Sequence, residues 1–126
     1  MRRLLIAVPL LVLALAAPAF AGGWATVGMS STPDGVQPGK PWVVDMTILQ
    51  HGRTPLQDLN PSLTIVNGDA RQTFHAKETK EPGVYRVSVT FPSSGLWRYE
   101  VNDGFVTGQP HTFKAAQIGA PGTISQ

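Results

Sequence analysis

The chain has 126 residues, with ten Lys and Arg against eight Asp and Glu, 13 Gly, 11 Pro and no Cys. This length fits one domain, and the lack of cysteine excludes a disulfide framework, a thiolate nucleophile and a cysteine-based metal site. The nearly balanced charge provides no basic cluster that would neutralise phosphates, so no nucleic-acid partner is expected.

Residues 1–21 have the layout of a secretory signal peptide. Arg2 and Arg3 precede an apolar run at 4–17, and the small-residue motif Ala-Phe-Ala at 19–21 is typical of a cleavage site. The alternative is an uncleaved membrane anchor, but 14 apolar residues in a helix would span only about 21 Å of a hydrocarbon core of roughly 30 Å. We therefore expect export to the periplasm, the cell surface or the medium.

Cleavage after Ala21 would leave 105 residues with eight basic and eight acidic side chains, a formal charge of zero. The apolar runs in this part are only a few residues long, so the mature domain is not expected to span a membrane. Residues 117–126 show no periodicity and are expected to form a flexible tail. The folded domain is thus predicted over residues 22–116.

Short alternating apolar stretches, separated by turn residues about every ten positions, predict strands rather than helices. In chain order the seven predicted strands are Trp24–Met29, Trp42–Leu49, Ser62–Asn67, Arg71–Lys77, Val84–Phe91, Trp97–Val101 and His111–Ala116. A long loop is expected over residues 50–61, and a tight turn at residues 67–69. The strand count and spacing predict an all-β fold, an immunoglobulin-like β-sandwich of about seven strands.

The clearest alternation lies in the strands at 84–91 and 97–101, which we expect to form a hairpin across a four-residue turn. On their outer face, Arg86, Arg98 and Glu100 are expected to form exposed cross-strand charge pairs, each of small value. The inward positions predict a core built on large rings. Its expected members are Trp42, Tyr85, Phe91, Trp97 and Tyr99.

Residues 83–97 read GVYRVSVTFPSSGLW. This segment resembles the G-x-Y-x-x-x-V-x-F-P-x-x-G-x-W signature of YtkA-like domains, a bacterial extracytoplasmic immunoglobulin-like family that is similar to the FixH proteins. The segments Gly22–Ala25 and Gln50–Gly52, the latter followed by Thr54-Pro55, fit the same family. The resemblance spans about residues 22–116 and implies a β-sandwich that works outside the cytoplasmic membrane.

His51 is the strongest candidate for a binding residue. It lies in the predicted loop between Gln50 and Arg53 and matches the family motif. We include Gln50 and Arg53 with His51 in the candidate binding site. Loops on rigid sandwiches commonly carry binding residues. The alternative is that His51 hydrogen-bonds the loop backbone and fixes its shape.

Copper binding is a second hypothesis, because imidazole and thioether groups suit this metal. His51 would act with Met29 or with another histidine, His75 or His111. The spacing of these residues forms no compact ligand motif, and His75 is predicted to be a solvated strand residue.

No catalytic motif is present. Ser30-Ser31 and Ser93-Ser94 occupy turn-like contexts without a G-x-S-x-G elbow, and most aspartates adjoin Gly, Pro or Asn in predicted turns. We therefore expect a noncatalytic domain, without a cofactor unless copper binds. It would bind an unidentified protein partner in the cell envelope through the 50–61 loop or through an exposed strand edge.

Overall fold

Two antiparallel sheets pack face to face in the computed structural model, which describes residues 24–106 and 108–120. The predicted signal peptide lies outside the described residues. The nine strands of the described chain are β1 Ala25–Met29, β2 Pro41–Gln50, β3 Thr54–Pro55, β4 Ser62–Asn67, β5 Ala70–His75, β6 Lys77–Glu78, β7 Val84–Thr90, β8 Gly95–Asn102 and β9 His111–Ile118. The first sheet has the order β9-β8-β4-β5. The second has the order β1-β2-β7-β6, with β3 also paired to β2.

The predicted all-β sandwich is confirmed, with nine strands instead of seven. The two additional strands, β3 and β6, contain two residues each. A two-residue strand is too short to show an alternating pattern, so neither could be predicted from alternation. The predicted strand 71–77 is divided at Ala76, where the chain passes from the first sheet to the second.

The core lies between the sheets and is formed by inward-facing residues of both. All five aromatic residues expected there are at most 5% exposed. Trp42 packs against Phe91 with ring centroids 6.3 Å apart, and Phe91 meets Trp97 edge to face at 5.7 Å. Met46 and Ile48 continue this layer along β2 and are fully buried. The alternation of each strand therefore specifies which side chains form the core.

The predicted hairpin between β7 and β8 is wrong. β7 pairs with β2 and β6 in the second sheet, whereas β8 pairs with β4 and β9 in the first. The turn at 91–94 therefore crosses over the core, and the Trp97 Nε1–H closes it with a hydrogen bond of 2.9 Å to the Ser93 carbonyl. Both arrangements bury the same side chains, which is why alternation alone could not distinguish them.

The expected pairing of outer charges is also corrected, because β7 and β8 lie in different sheets. Arg86 instead makes two hydrogen bonds, of 2.7 and 3.1 Å, to the Asp45 carboxylate on β2. These bonds hold the pKa of Asp45 below its usual value. In the other sheet, Glu100 pairs with Arg71 on β5 at 3.2 Å. Both pairs are partly exposed and contribute little to stability.

The last strand extends beyond the predicted boundary at residue 116. Gln117 and Ile118 belong to β9, and Ile118 is fully buried. The Gly119 amide also donates a 2.7 Å hydrogen bond to the Val36 carbonyl. A shift of register between Phe113 and Ala116 disturbs the alternation here, so the alternating pattern ends before the strand does.

Within residues 24–106 and 108–120 the structure contains no helix that is long and apolar enough to cross a membrane.

Candidate functional site

His51 occupies a tight turn at the end of β2 instead of a long loop. His51 and Gly52 have φ angles of 52° and 70°, and the Arg53 amide donates a 3.0 Å hydrogen bond to the Gln50 carbonyl. Two successive positive φ angles are the signature of a type I′ turn, which joins antiparallel strands with little distortion. Gly52 suits this backbone, and histidine tolerates it better than most residues. The turn leads directly into β3.

The imidazole of His51 lies against the indole of Trp24, with ring centroids 4.7 Å apart and planes inclined by 30°. Their backbones are also linked, since the His51 amide donates to the Trp24 carbonyl at 3.4 Å. Trp24 is 48% exposed, so one side of its ring faces solvent while the other is held by the histidine. We call this pair the Trp24–His51 platform.

The predicted binding residues surround this platform. Gln50 is half-buried at the end of β2, whereas Arg53 is exposed on the far side of the turn. The His51 Nε2 atom is buried and has no hydrogen-bond partner among the described residues. His51 therefore contributes to the turn by ring stacking and by its backbone, and not through a bond from Nε2 to the loop.

The remainder of the predicted loop is fixed by Tyr85. The Tyr85 hydroxyl donates a 2.7 Å hydrogen bond to the Leu56 carbonyl and accepts one of 3.2 Å from the Leu59 amide. Burial raises the pKa of Tyr85, so the hydroxyl remains a neutral donor. Gly83 lets the chain approach closely here, because a Cβ at this position would lie 2.9 Å from the Pro55 Cβ. Tyr85 is thus a buried core ring whose hydroxyl holds the neighbouring backbone, as in a tyrosine corner.

A small cavity of about 50 Å³ adjoins the platform, between β1 and the loop that joins β8 to β9. Its lining consists of Trp24, Ala25, Asp103, Val106, Gln109 and His111. A cavity of this size has room for a small group only. Trp24 thus both stacks on His51 and contributes to the lining of this cavity.

Asp103 is the buried polar residue at this cavity, at 1% exposure. Its Oδ1 accepts hydrogen bonds of 2.6 and 2.8 Å from the amides of Phe105 and Val106, and its Oδ2 lies 2.7 Å from the His111 Nε2. The sequence placed Asp103 in a predicted turn and offered His111 only as a possible copper ligand. The residue pattern Asn-Asp-Gly at 102–104 indicated a turn, but nothing in it indicated that His111 would be the partner.

The structure does not bring the proposed copper ligands together. Ala25 pairs with Gln50 at one end of β1, and Met29 pairs with Met46 at the other. At about 3.3 Å per residue, four residues separate these ends by about 13 Å. His75 is exposed on β5, and His111 is engaged by Asp103. No group of three His, Cys, Asp or Glu side chains within the described chain is arranged to hold a metal ion.

A wider groove of about 1140 Å³ lies beside β6 and β7. Its charged side chains are Lys77, Lys80 and Arg86 together with Asp58, Glu78 and Glu81. Arg86 is engaged by Asp45, and Glu78 accepts a 3.0 Å hydrogen bond from the Asp58 amide. The opposite charges balance, so the groove shows no preference for an ionic ligand.

The strand orders of the two sheets, β1-β2-β7-β6 and β9-β8-β4-β5, define a β-sandwich domain of the immunoglobulin-like type. The model of the YtkA-like family matches residues 26–102, which is more than half of the chain. The chain belongs to the YtkA-like family. No curated protein shows significant similarity to it.

Proposed function

We propose that the chain is an exported, noncatalytic domain that binds another protein of the cell envelope through the Trp24–His51 platform. The observation that carries this proposal is an indole that is half exposed and yet held in place, by ring stacking and by a backbone hydrogen bond. A fixed exposed tryptophan contributes a large contact area at low entropic cost, which is why tryptophan is enriched among the residues that dominate binding energy. Arg53 and Gln50 would supply polar contacts around it.

The arrangement around His111 supports a noncatalytic role. An Asp–His pair acts in catalysis when the imidazole can activate a nucleophile. Here the described residues that line the cavity include no Ser, Thr, Cys or Lys that His111 could activate. The pair instead connects the start of β9 to the loop that precedes it.

Site-specific photo-crosslinking in the producing cell tests the proposal. A photoreactive residue at position 24 should give a defined protein adduct. The matched control is the same residue at Leu96, which is 64% exposed and lies at the opposite end of the sandwich. An adduct at position 24 that is lost in Arg53→Glu and absent at position 96 supports the platform. Equal adducts at both positions, or none, contradict it.

Copper binding at His51 is the second candidate, favoured by the buried and unpartnered Nε2. Because Met29 lies at the other end of β1, a site at His51 would need donors other than Met29. Titration with Cu(I) and Cu(II) should then show stoichiometric uptake that is lost in His51→Ala and kept in His75→Ala. Uptake that is weak, or equally reduced in both variants, contradicts copper binding.

A further inference from the structure

The edges of the two sheets differ in how they are protected against pairing with another chain. Natural edge strands are shielded by charges, proline, bulges, short length or a covering loop. β9 carries Lys114 in its irregular segment, and residues 34 and 35 bond to its outer edge at Gln117. β6 contains only Lys77 and Glu78. β5 carries Arg71 and His75.

β1 lacks charges, proline and bulges, and no strand of the described chain covers its outer edge. Its sequence, Ala-Thr-Val-Gly-Met, contains no charge and no proline, and its register with β2 is regular over all five pairs. The uncharged stretch continues to residue 33. An unprotected edge of this kind is a template for an added strand.

The backbone polarity of β1 can be read from its ladder with β2. The His51 amide donates to the Trp24 carbonyl and the Ser30 amide donates to the Asp45 carbonyl, so the even-numbered residues of this strand bond to β2. The amides and carbonyls of Ala25, Val27 and Met29 therefore point away from the sheet. No residue of the described chain pairs with this edge.

Gly28 provides a second, independent observation. Glycine inside a strand weakens it and often marks a place where another backbone approaches closely. Nothing in the fold requires glycine here, because its φ is ordinary and a Cβ would meet no atom within 4 Å. Glycine at this position therefore leaves room beside β1 for the backbone of another chain.

We propose that the outer edge of β1 pairs antiparallel with β1 of a second copy of this chain, so that the two second sheets become continuous. The pairing is centred on Val27, so that Val27 lies opposite Val27 of the second copy and Ala25 lies opposite Met29. Val27 and Met29, which are half-buried in one copy, thereby gain apolar neighbours. Thr26 would face Gly28, a pair without bulk or charge. The strand is thus complementary to itself, as a two-fold interface requires.

The net charge of the domain also favours a second copy as the partner of β1. The described residues contain eight Lys and Arg and eight Asp and Glu, so two copies carry no net charge that would repel them. A five-residue edge gives a small interface, so we expect a dissociation constant in the micromolar range or weaker. This inference does not rest on the proposed function, because it is argued from the backbone edge of β1 and not from the exposed ring of Trp24.

Sedimentation velocity of protein expressed from the full sequence, over about 1 to 500 µM, tests the proposal. A dimer should accumulate with concentration. Val27→Lys should weaken it by about tenfold or more, because Val27 packs at the margin of the core, where a lysine can still reach solvent past an open edge but would be enclosed by an added strand. Thr73→Lys, with the same added charge on the β5 edge, should leave it unchanged. A monomer at every concentration, or equal loss in both variants, overturns the proposal.

Gly28→Lys provides a second variant that should fold normally, because the position has open space. In the dimer, two such lysines would lie about 7–8 Å apart diagonally across the interface, so association should weaken and partly recover in high salt.

Hydrogen exchange of the β1 amides completes the test. The Val27 amide should exchange rapidly at low concentration and become protected as the dimer forms. Protection already present in the monomer would mean that another segment of the same chain covers the edge, and would refute the proposal.

Discussion

The rings in the interior and the rings of the Trp24–His51 platform have similar chemistry but different surroundings. Trp97 is 1% exposed, its ring packs against Phe91, and its Nε1–H donates a hydrogen bond to the Ser93 carbonyl. Trp24 is 48% exposed and is held by one ring and one backbone hydrogen bond. The interior rings stabilise the fold, whereas the platform ring is fixed but still available for contact with a partner.

The largest expected effect is on the interior side of this comparison. Trp97→Ala removes a fully buried indole from between the sheets and should lower the free energy of unfolding by about 3–5 kcal/mol. Urea denaturation measures this loss. The adjacent Leu96→Ala, at a position 64% exposed, should change stability by no more than about 0.5 kcal/mol. Similar losses in the two variants would contradict the assignment of Trp97 to the core.

Asp103→Ala should have the next largest effect. It leaves the amides of Phe105 and Val106 and the imidazole of His111 without their acceptor. Because an unsatisfied buried donor costs about 1–3 kcal/mol, we expect a loss of about 2–3 kcal/mol in total as water partly replaces the carboxylate. Asp69→Ala, in an exposed turn, is the control and should be nearly neutral. If the two variants were equally stable, the Asp103 network would have no structural role.

Trp24→Ala should cost less, about 1–2 kcal/mol, because much of the ring area already faces water in the folded state. Trp24→Phe retains a ring that can stack on His51 and should recover part of this loss. Thermal and urea denaturation of the two variants would sharpen the comparison with Trp97. A loss as large as that of Trp97→Ala would mean that Trp24 is a core residue and not a platform.

The smallest expected effect is the pH dependence of the Asp45–Arg86 pair. The folded pKa of Asp45 lies below its ordinary value of 3.8, so the pair stabilises the fold above that pH and loses its contribution as the pH falls through the folded pKa. The difference in stability between the wild type and Asp45→Asn should therefore be present near neutral pH and disappear in acid. Urea denaturation at a series of pH values, with Asp69→Asn as control, measures this. A difference that grows toward acid pH contradicts it.

Much of the fold was predictable, and little of the candidate site. The turn at 67–69 was expected from Asn-Gly-Asp, and β4 pairs across it with β5 as predicted. His51 was identified from its place beside Gly52, but its contact with Trp24 was not. These two residues are 27 positions apart in the chain, and only the pairing of β1 with β2 brings them together. The Asp103–His111 contact likewise depends on how the loop before β9 closes.

The amino-acid pattern alone was enough to predict the seven longer strands and the residues that face the core, because a side-chain period of two is a local property of the backbone. The assignment of strands to sheets, the crossing from β7 to β8 over the core and the lack of a described partner on the outer edge of β1 emerged only from the three-dimensional structure. These are choices among pairings that bury the same side chains. Long-range hydrogen bonds and closure of the sandwich select one of these pairings, and neither is visible in a local sequence pattern.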